Sequence, residues 1–230
     1  MVTTTTTATT RDTRRVGWPE LITAGISALV LYLVGGLGVY LLDLPAEAAG
    51  IAQFGLSAIV PALAFLAALF VRRLPVGAFG FRRVRPIWLL VAVAVGLAAM
   101  TLASLLSIFV LTPMFPHDDT QAEYHAAITG ALPAFVVTLL LGGILEPIGE
   151  ELLFRGVLAS FLRRWGPWAM IIGTTLVFAL AHGFNVVFFS AVFMSVGSTY
   201  LYWRTGSIWP SLIVHCTYNS SSLLLQGLGF

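Results

Sequence analysis

Along the chain, long apolar runs alternate with short polar connections. Uncharged runs at 21–42, 48–71, 86–116 and 126–145 each reach or exceed the roughly 18–20 residues that cross a bilayer as a helix. No formally charged residue occurs between Trp165 and Trp203, and the turn-forming Gly183-Phe184-Asn185 is the natural break in that stretch. A last uncharged run covers 206–230. The pattern predicts seven spanning helices, near 18–42, 48–71, 86–111, 131–162, 166–182, 185–203 and 207–226. Residues 1–17, Thr-rich and then carrying Arg11, Arg14 and Arg15, lack an apolar period and are expected to form a disordered polar tail. The first apolar run is too long for a signal-peptide core of about 7–15 residues and is read as a spanning helix. The expected organisation is therefore the tail 1–17, three spans in 18–125 and four in 126–230. Pro61, Pro133 and Pro147 are expected to mark kinks whose freed backbone groups neighbouring helices satisfy.

Composition agrees with that pattern. The 230 residues are 58% hydrophobic and only 10% charged, with a mean hydropathy of +0.94. A soluble domain needs about a quarter of its residues charged. The fold class is thus all-α, a polytopic transmembrane helix bundle, with the lipid bilayer as its surroundings. Cys216 has no partner, which excludes a disulfide scaffold, and it reads as apolar filling.

Charge adds orientation. Every basic residue is arginine, and Arg11, Arg14, Arg15, Arg72, Arg73, Arg82, Arg83, Arg85, Arg163, Arg164 and Arg204 fall in alternate connections. The other connections hold Asp43, Glu47, Asp118, Asp119 and Glu123 and no arginine. The positive-inside rule then puts the N-terminus in the cytoplasm and the C-terminus outside. Because topology explains the arginines, the basic balance does not point to nucleic acid. The Thr-rich tail and all-arginine usage suit a high-GC bacterium, and so a bacterial plasma membrane.

Four charges have no topological explanation. Glu146, Glu150, Glu151 and Arg155 lie inside the fourth span, where each ionised group costs about 2.5–3.5 kcal/mol at mid-bilayer. They must face protein or a cavity. Glu151 and Arg155, at i and i+4 with the acid first, can pair. Glu150 sits about 100° around the helix from Glu151, on the face of Glu146 one turn earlier. Two carboxylates there repel, which suits one of them to taking and releasing a proton. The alternative is an internal ion-pair knot that only fixes helix packing.

Two histidines join them. Phe178 and His182 share a face of the fifth span, and Ser211, His215, Asn219, Ser222 and Gln226 form a polar stripe on the seventh. Such a stripe must face inward. Measured at ~1.5 Å per residue from the flanking arginines, Glu150, His182 and His215 lie about 17 to 27 Å deep, in one broad layer.

Glu150-Glu151-Leu152-Leu153-Phe154-Arg155-Gly156, then Phe178 to His182, then His215 to Asn219 together resemble the CPBP family. That family includes the CAAX prenyl endopeptidases of Rce1 type and the Abi proteins linked to bacteriocin self-immunity. The resemblance covers about residues 130–225, so it makes 126–230 the catalytic core. It implies an intramembrane glutamic endopeptidase, a membrane-embedded hydrolase, acting on a membrane-associated protein or peptide. Glu150 with His182 would activate water, and His215 with Asn219 would form the oxyanion site. Glu151, Arg155, Glu146 and Phe178 would support them. No cofactor is expected. Alternatives on the same residues are a zinc-dependent peptidase, a non-proteolytic immunity or scaffold protein, and a proton-coupled transporter.

Overall fold

The computed structural model describes residues 15–115 and 120–229. Most of the expected tail, with Arg11 and Arg14, and also Asp118 and Asp119, lie outside the described residues. Among the described residues the regular structure is entirely helical. The helices are α1 (Trp18–Leu41), α2 (Ala46–Arg72), α3 (Ile87–Met114), α4 (Ala122–Ile128), α5 (Leu132–Trp165), α6 (Pro167–Ala181), α7 (Val186–Thr205) and α8 (Ile208–Gly227).

Each of the seven apolar runs forms a helix, and the expected break is present. Asn185 accepts from the backbone N–H groups of Val187 and Phe188 and so starts α7. Just before it, Gly183 has φ +79°. Five helices, α1, α2, α3, α5 and α7, are long and apolar enough to cross a membrane. α6, with 15 residues, spans only about 23 Å against a hydrocarbon core of about 30 Å. α8 has the length, but its polar stripe makes it less apolar. The short α4 lies in what the sequence reads as a connection, and it packs on α2.

Contacts between helix ends sort the connections into two groups. Arg72 bonds Glu20 and the carbonyl of Arg15. Arg164 Nη2 donates to the carbonyl of Val16 at 2.6 Å. Ser207 Oγ donates to the carbonyl of Arg82 at 2.7 Å, and the Ile208 N–H donates to Gly80 at 2.9 Å. The arginine-bearing connections therefore share one end of the bundle. At the other end Gln53 bonds Glu123, and the Glu47 carboxylate lies against Gly130.

Two expectations change here. The last residues of the expected tail belong to the fold: Val16 is buried, and Gly17 N–H donates to Glu20 at 2.7 Å, capping α1. Glu20, fully buried and paired with Arg72, joins Glu150, Glu151 and Arg155 as a buried charge within a helix. Its position at the first turn leaves it within reach of both groups.

α5 is the central element, with α2 on one side and α6, α7 and α8 on the other. Gly149 lets α2 approach closely, since a Cβ there would lie 2.3 Å from the carbonyl oxygen of Ala58. Two wider π-helical segments, Leu141–Leu145 and Leu152–Ala159, bracket the turn Glu146–Glu151. Glu146 N–H reaches back to Leu141, one residue further than an α-helix would, and Pro147 has no N–H to give. The carbonyls released are taken by α8: Asn219 Nδ2 donates to Gly142 at 2.9 Å and Ser220 Oγ donates to Gly143 at 3.1 Å. This is the satisfaction by a neighbouring helix that intramembrane prolines require. Pro133, in contrast, sits in the first turn of α5, where a missing N–H breaks no bond and no kink is needed.

Candidate active site

Glu150, Glu151, Arg155 and His215 are all buried, at 6%, 1%, 0% and 2% exposure. The spacing-based pair is present: Arg155 Nη1 lies 2.9 Å from Glu151 Oε1. The guanidinium is held from its other side by α7, where Nη2 donates to Ser195 Oγ at 3.0 Å and to the Ser195 carbonyl at 3.3 Å. Its charge also rests 5.0 Å above the centre of the Phe178 ring, a cation–π contact in a dry place.

Glu151 is the hub of this cluster. Besides Arg155 it accepts from Ser198 Oγ, 3.1 and 3.2 Å from its two oxygens, and meets His215 Nδ1 at 3.0 Å. Helices α5, α7 and α8 are thus joined through one carboxylate. A charge left unpaired there would cost several kcal/mol, and three partners, Arg155, Ser198 and His215, offset that cost.

Glu150, about a third of a turn away, faces a different space. Its Oε2 lies 3.5 Å from His215 Nε2 and its Oε1 lies 3.9 Å from His182 Nε2. His182 is the residue that ends α6, and its Nδ1 sits 2.8 Å from the Phe178 carbonyl. A carbonyl can only accept, so Nδ1 carries a proton, and in the neutral ring Nε2 presents a lone pair to the cavity. Phe178 fixes both imidazoles, with ring centres 4.6 Å from His182 and 5.7 Å from His215.

These groups line a cavity of about 780 Å³ that includes Glu146, Asn219, Ser222 and Gln226. The polar stripe of α8 therefore faces inward as expected. Ser211, the stripe's first member, is instead buried against α7, donating to the Ser198 carbonyl at 2.9 Å. Glu146 lies farther along the wall, with Ser57 within hydrogen-bonding reach. Cys216 does not line the cavity. Sequence reading missed the α7 serines, Ser195 and Ser198, although polar residues three apart in an apolar helix are a usable signal. It also missed Tyr32, Phe54 and Tyr124, aromatic walls supplied by α1, α2 and α4.

The arrangement has the elements of general-base hydrolysis: a buried carboxylate, two imidazoles and an amide around one enclosed space. For a metal the fit is poorer. Among the described residues no group of three His, Cys, Asp or Glu side chains is arranged to hold one, and Asn219 already spends an amide proton on Gly142.

No curated protein and no solved structure matches this chain. A family model described as type II CAAX prenyl endopeptidase, Rce1-like, matches residues 132–221. The matched stretch runs from the first turn of α5 into α8 and holds every candidate residue named above. Over residues 132–221, less than half of its length, the chain is thus similar to the Rce1-like, CPBP/CAAX-type membrane endopeptidases.

Proposed function

We propose that Glu150, His182, His215 and Asn219 form the catalytic centre of an intramembrane glutamic endopeptidase that cuts a membrane-associated protein or peptide. The observation that carries this reading is the position of Glu150 between two imidazole Nε2 atoms, at 3.5 and 3.9 Å, on the wall of a cavity. The 3.9 Å gap to His182 is too long for a direct hydrogen bond and suits a bridging water.

Glu150, with the His182 lone pair opposite, takes a proton from that water as its oxygen bonds to the scissile carbonyl carbon. The carbonyl π electrons move to oxygen, giving a tetrahedral oxyanion. His215 is anchored to Glu151 through Nδ1. In its doubly protonated form it aims an Nε2–H into the cavity and makes the set Glu150, Glu151, Arg155 and His215 electrically neutral. That N–H and the second amide proton of Asn219 receive the oxyanion, typically the largest contribution to such catalysis. Collapse breaks the C–N bond, and the proton held by Glu150 passes to the leaving amine.

The exposed wall residues Thr120 and His125 and Gln226, in the last turn of α8, belong to the end without arginines. With the arginine end in the cytoplasm, the cavity faces the outer half of a bacterial plasma membrane, the N-terminus lies inside and the C-terminus outside. The test is cleavage of membrane peptides by purified protein carrying Glu150→Gln. Loss of cleavage with an unchanged unfolding midpoint is expected, and undiminished cleavage overturns the assignment.

A further inference from the structure

The arginines at the opposite end do more than set topology. A second concavity of about 360 Å³ is lined by Arg15 before α1, Gly77, Gly80 and Arg82 between α2 and α3, Arg163 and Arg164 at the end of α5, and Tyr202 and Gly206 at the end of α7. Four guanidinium groups from three separate connections meet there, and among the described lining residues there is no carboxylate. The neighbouring acid, Glu20, is occupied by Arg72 and the Gly17 N–H.

Their donors are largely unspent. Among the described residues the Arg15 and Arg163 side chains make no hydrogen bond or ion pair. Arg82 uses only Nε, donating to Gly77 at 3.0 Å. Arg164 uses Nε and Nη2, on Phe161 and Val16, and keeps Nη1. The floor is built rather than accidental. Tyr202 is buried with its hydroxyl 2.6 Å from Ser160 Oγ. Gly80, at φ +88°, closes over the Tyr202 ring, where a Cβ would lie 2.5 Å away. Gly206, at φ +64°, leaves room for Arg163, whose Nη1 would sit 3.3 Å from a Cβ.

Convergent like charges repel unless an anion shares them, and planar guanidinium forks match phosphate oxygens in pairs. At the cytoplasmic end of a helix bundle, basic pockets between helices are suited to anionic headgroups. We propose that this concavity binds a phosphate-bearing anion, supplied by the headgroup of an anionic phospholipid of the inner leaflet. The site lies at the other end of the bundle from Glu150 and stands whether or not the peptidase reading holds.

The test uses the full chain in neutral detergent and follows the thermal unfolding midpoint during titration with three probes at constant ionic strength: short-chain phosphatidylglycerol, short-chain phosphatidylcholine and inorganic phosphate. The expected result is a saturable rise with phosphatidylglycerol and none with phosphatidylcholine. Its half-saturation should weaken at least tenfold in Arg15→Gln/Arg163→Gln. It should stay within twofold in Arg83→Gln/Arg85→Gln, which removes equal charge from outside the pocket. Because the Arg15 and Arg163 side chains are exposed and make no hydrogen bonds among the described residues, their replacement should leave the ligand-free midpoint unchanged. Each single variant provides a check on that. Equal weakening in both double variants, or no saturation, overturns the site in favour of diffuse attraction. Saturation by inorganic phosphate with the same arginine dependence, and no added gain from the lipid, overturns the lipid source.

Discussion

Replacing Arg155 with leucine tests whether the Glu151 cluster is an ion-pair knot first and a positioning device second. Arg155 and Glu151 are 0% and 1% exposed, so solvent screens neither. Removing one member of a buried pair typically costs about 3–5 kcal/mol, most of it from the charge left behind. Arg155→Leu should fall in that range, with a further ~1 kcal/mol from the orphaned Ser195 hydroxyl, partly offset because Ser198 and His215 still hold Glu151. Glu151→Leu should cost a similar amount by stranding the guanidinium. In Arg155→Leu/Glu151→Leu neither member of the pair is left without the other, and what is lost are the hydrogen bonds that Arg155 donates to Ser195 and that Glu151 accepts from Ser198 and His215. The double variant should therefore be more stable than the sum of the singles by about 3 kcal/mol. It should nonetheless stay inactive, because His215 Nδ1 has lost its anchor. Equilibrium unfolding in mixed micelles measures the cycle, and peptide cleavage measures the rest. Additivity within about 0.5 kcal/mol would refute the coupling, and recovered cleavage would refute the positioning role of Glu151.

Ser220→Ala should cost about 1–3 kcal/mol by leaving the Gly143 carbonyl unsatisfied, with kcat barely changed, whereas Asn219→Ala should lower the unfolding midpoint and reduce kcat by about 10²–10³. A Ser220 variant that lost cleavage at unchanged stability would move the oxyanion role to it. Gly149→Ala forces a methyl against the Ala58 carbonyl and should destabilise by about 1–3 kcal/mol; an unchanged midpoint would mean that α2 and α5 separate freely. Cleavage should persist in strong chelator, with no stoichiometric metal by elemental analysis; chelator-sensitive activity restored by zinc would favour the zinc-dependent reading.

The parts of the fold visible in the sequence are those written in local periodicity. Helix positions followed from apolar run length, and the Glu151–Arg155 pair followed from its i, i+4 spacing. The inward face of α8 followed from a stripe that lipid would reject. What stayed hidden depends on register between helices. Nothing local says that His215 Nδ1 meets Glu151, sixty-four positions away, or that Ser195 and Ser198 turn toward α5 rather than α6. The Leu141–Leu145 π segment was also invisible, because the carbonyls it releases at Gly142 and Gly143 are taken by Asn219 and Ser220 of the distant α8. The burial of Glu20 is not written locally either, since its partner Arg72 comes from the far end of the next helix.

That dependence of α5 on α8 bears on how the protein is made. Of the described helices, α8 leaves the ribosome last, and until it docks the Gly142 and Gly143 carbonyls stand unpaired in a helix already committed to lipid. Each such group costs several kcal/mol in hydrocarbon. The helix that bears Glu150 should thus stay in a different, looser conformation until α8 has docked. Biogenesis itself would then keep the space around Glu150 unassembled until α8 is in place.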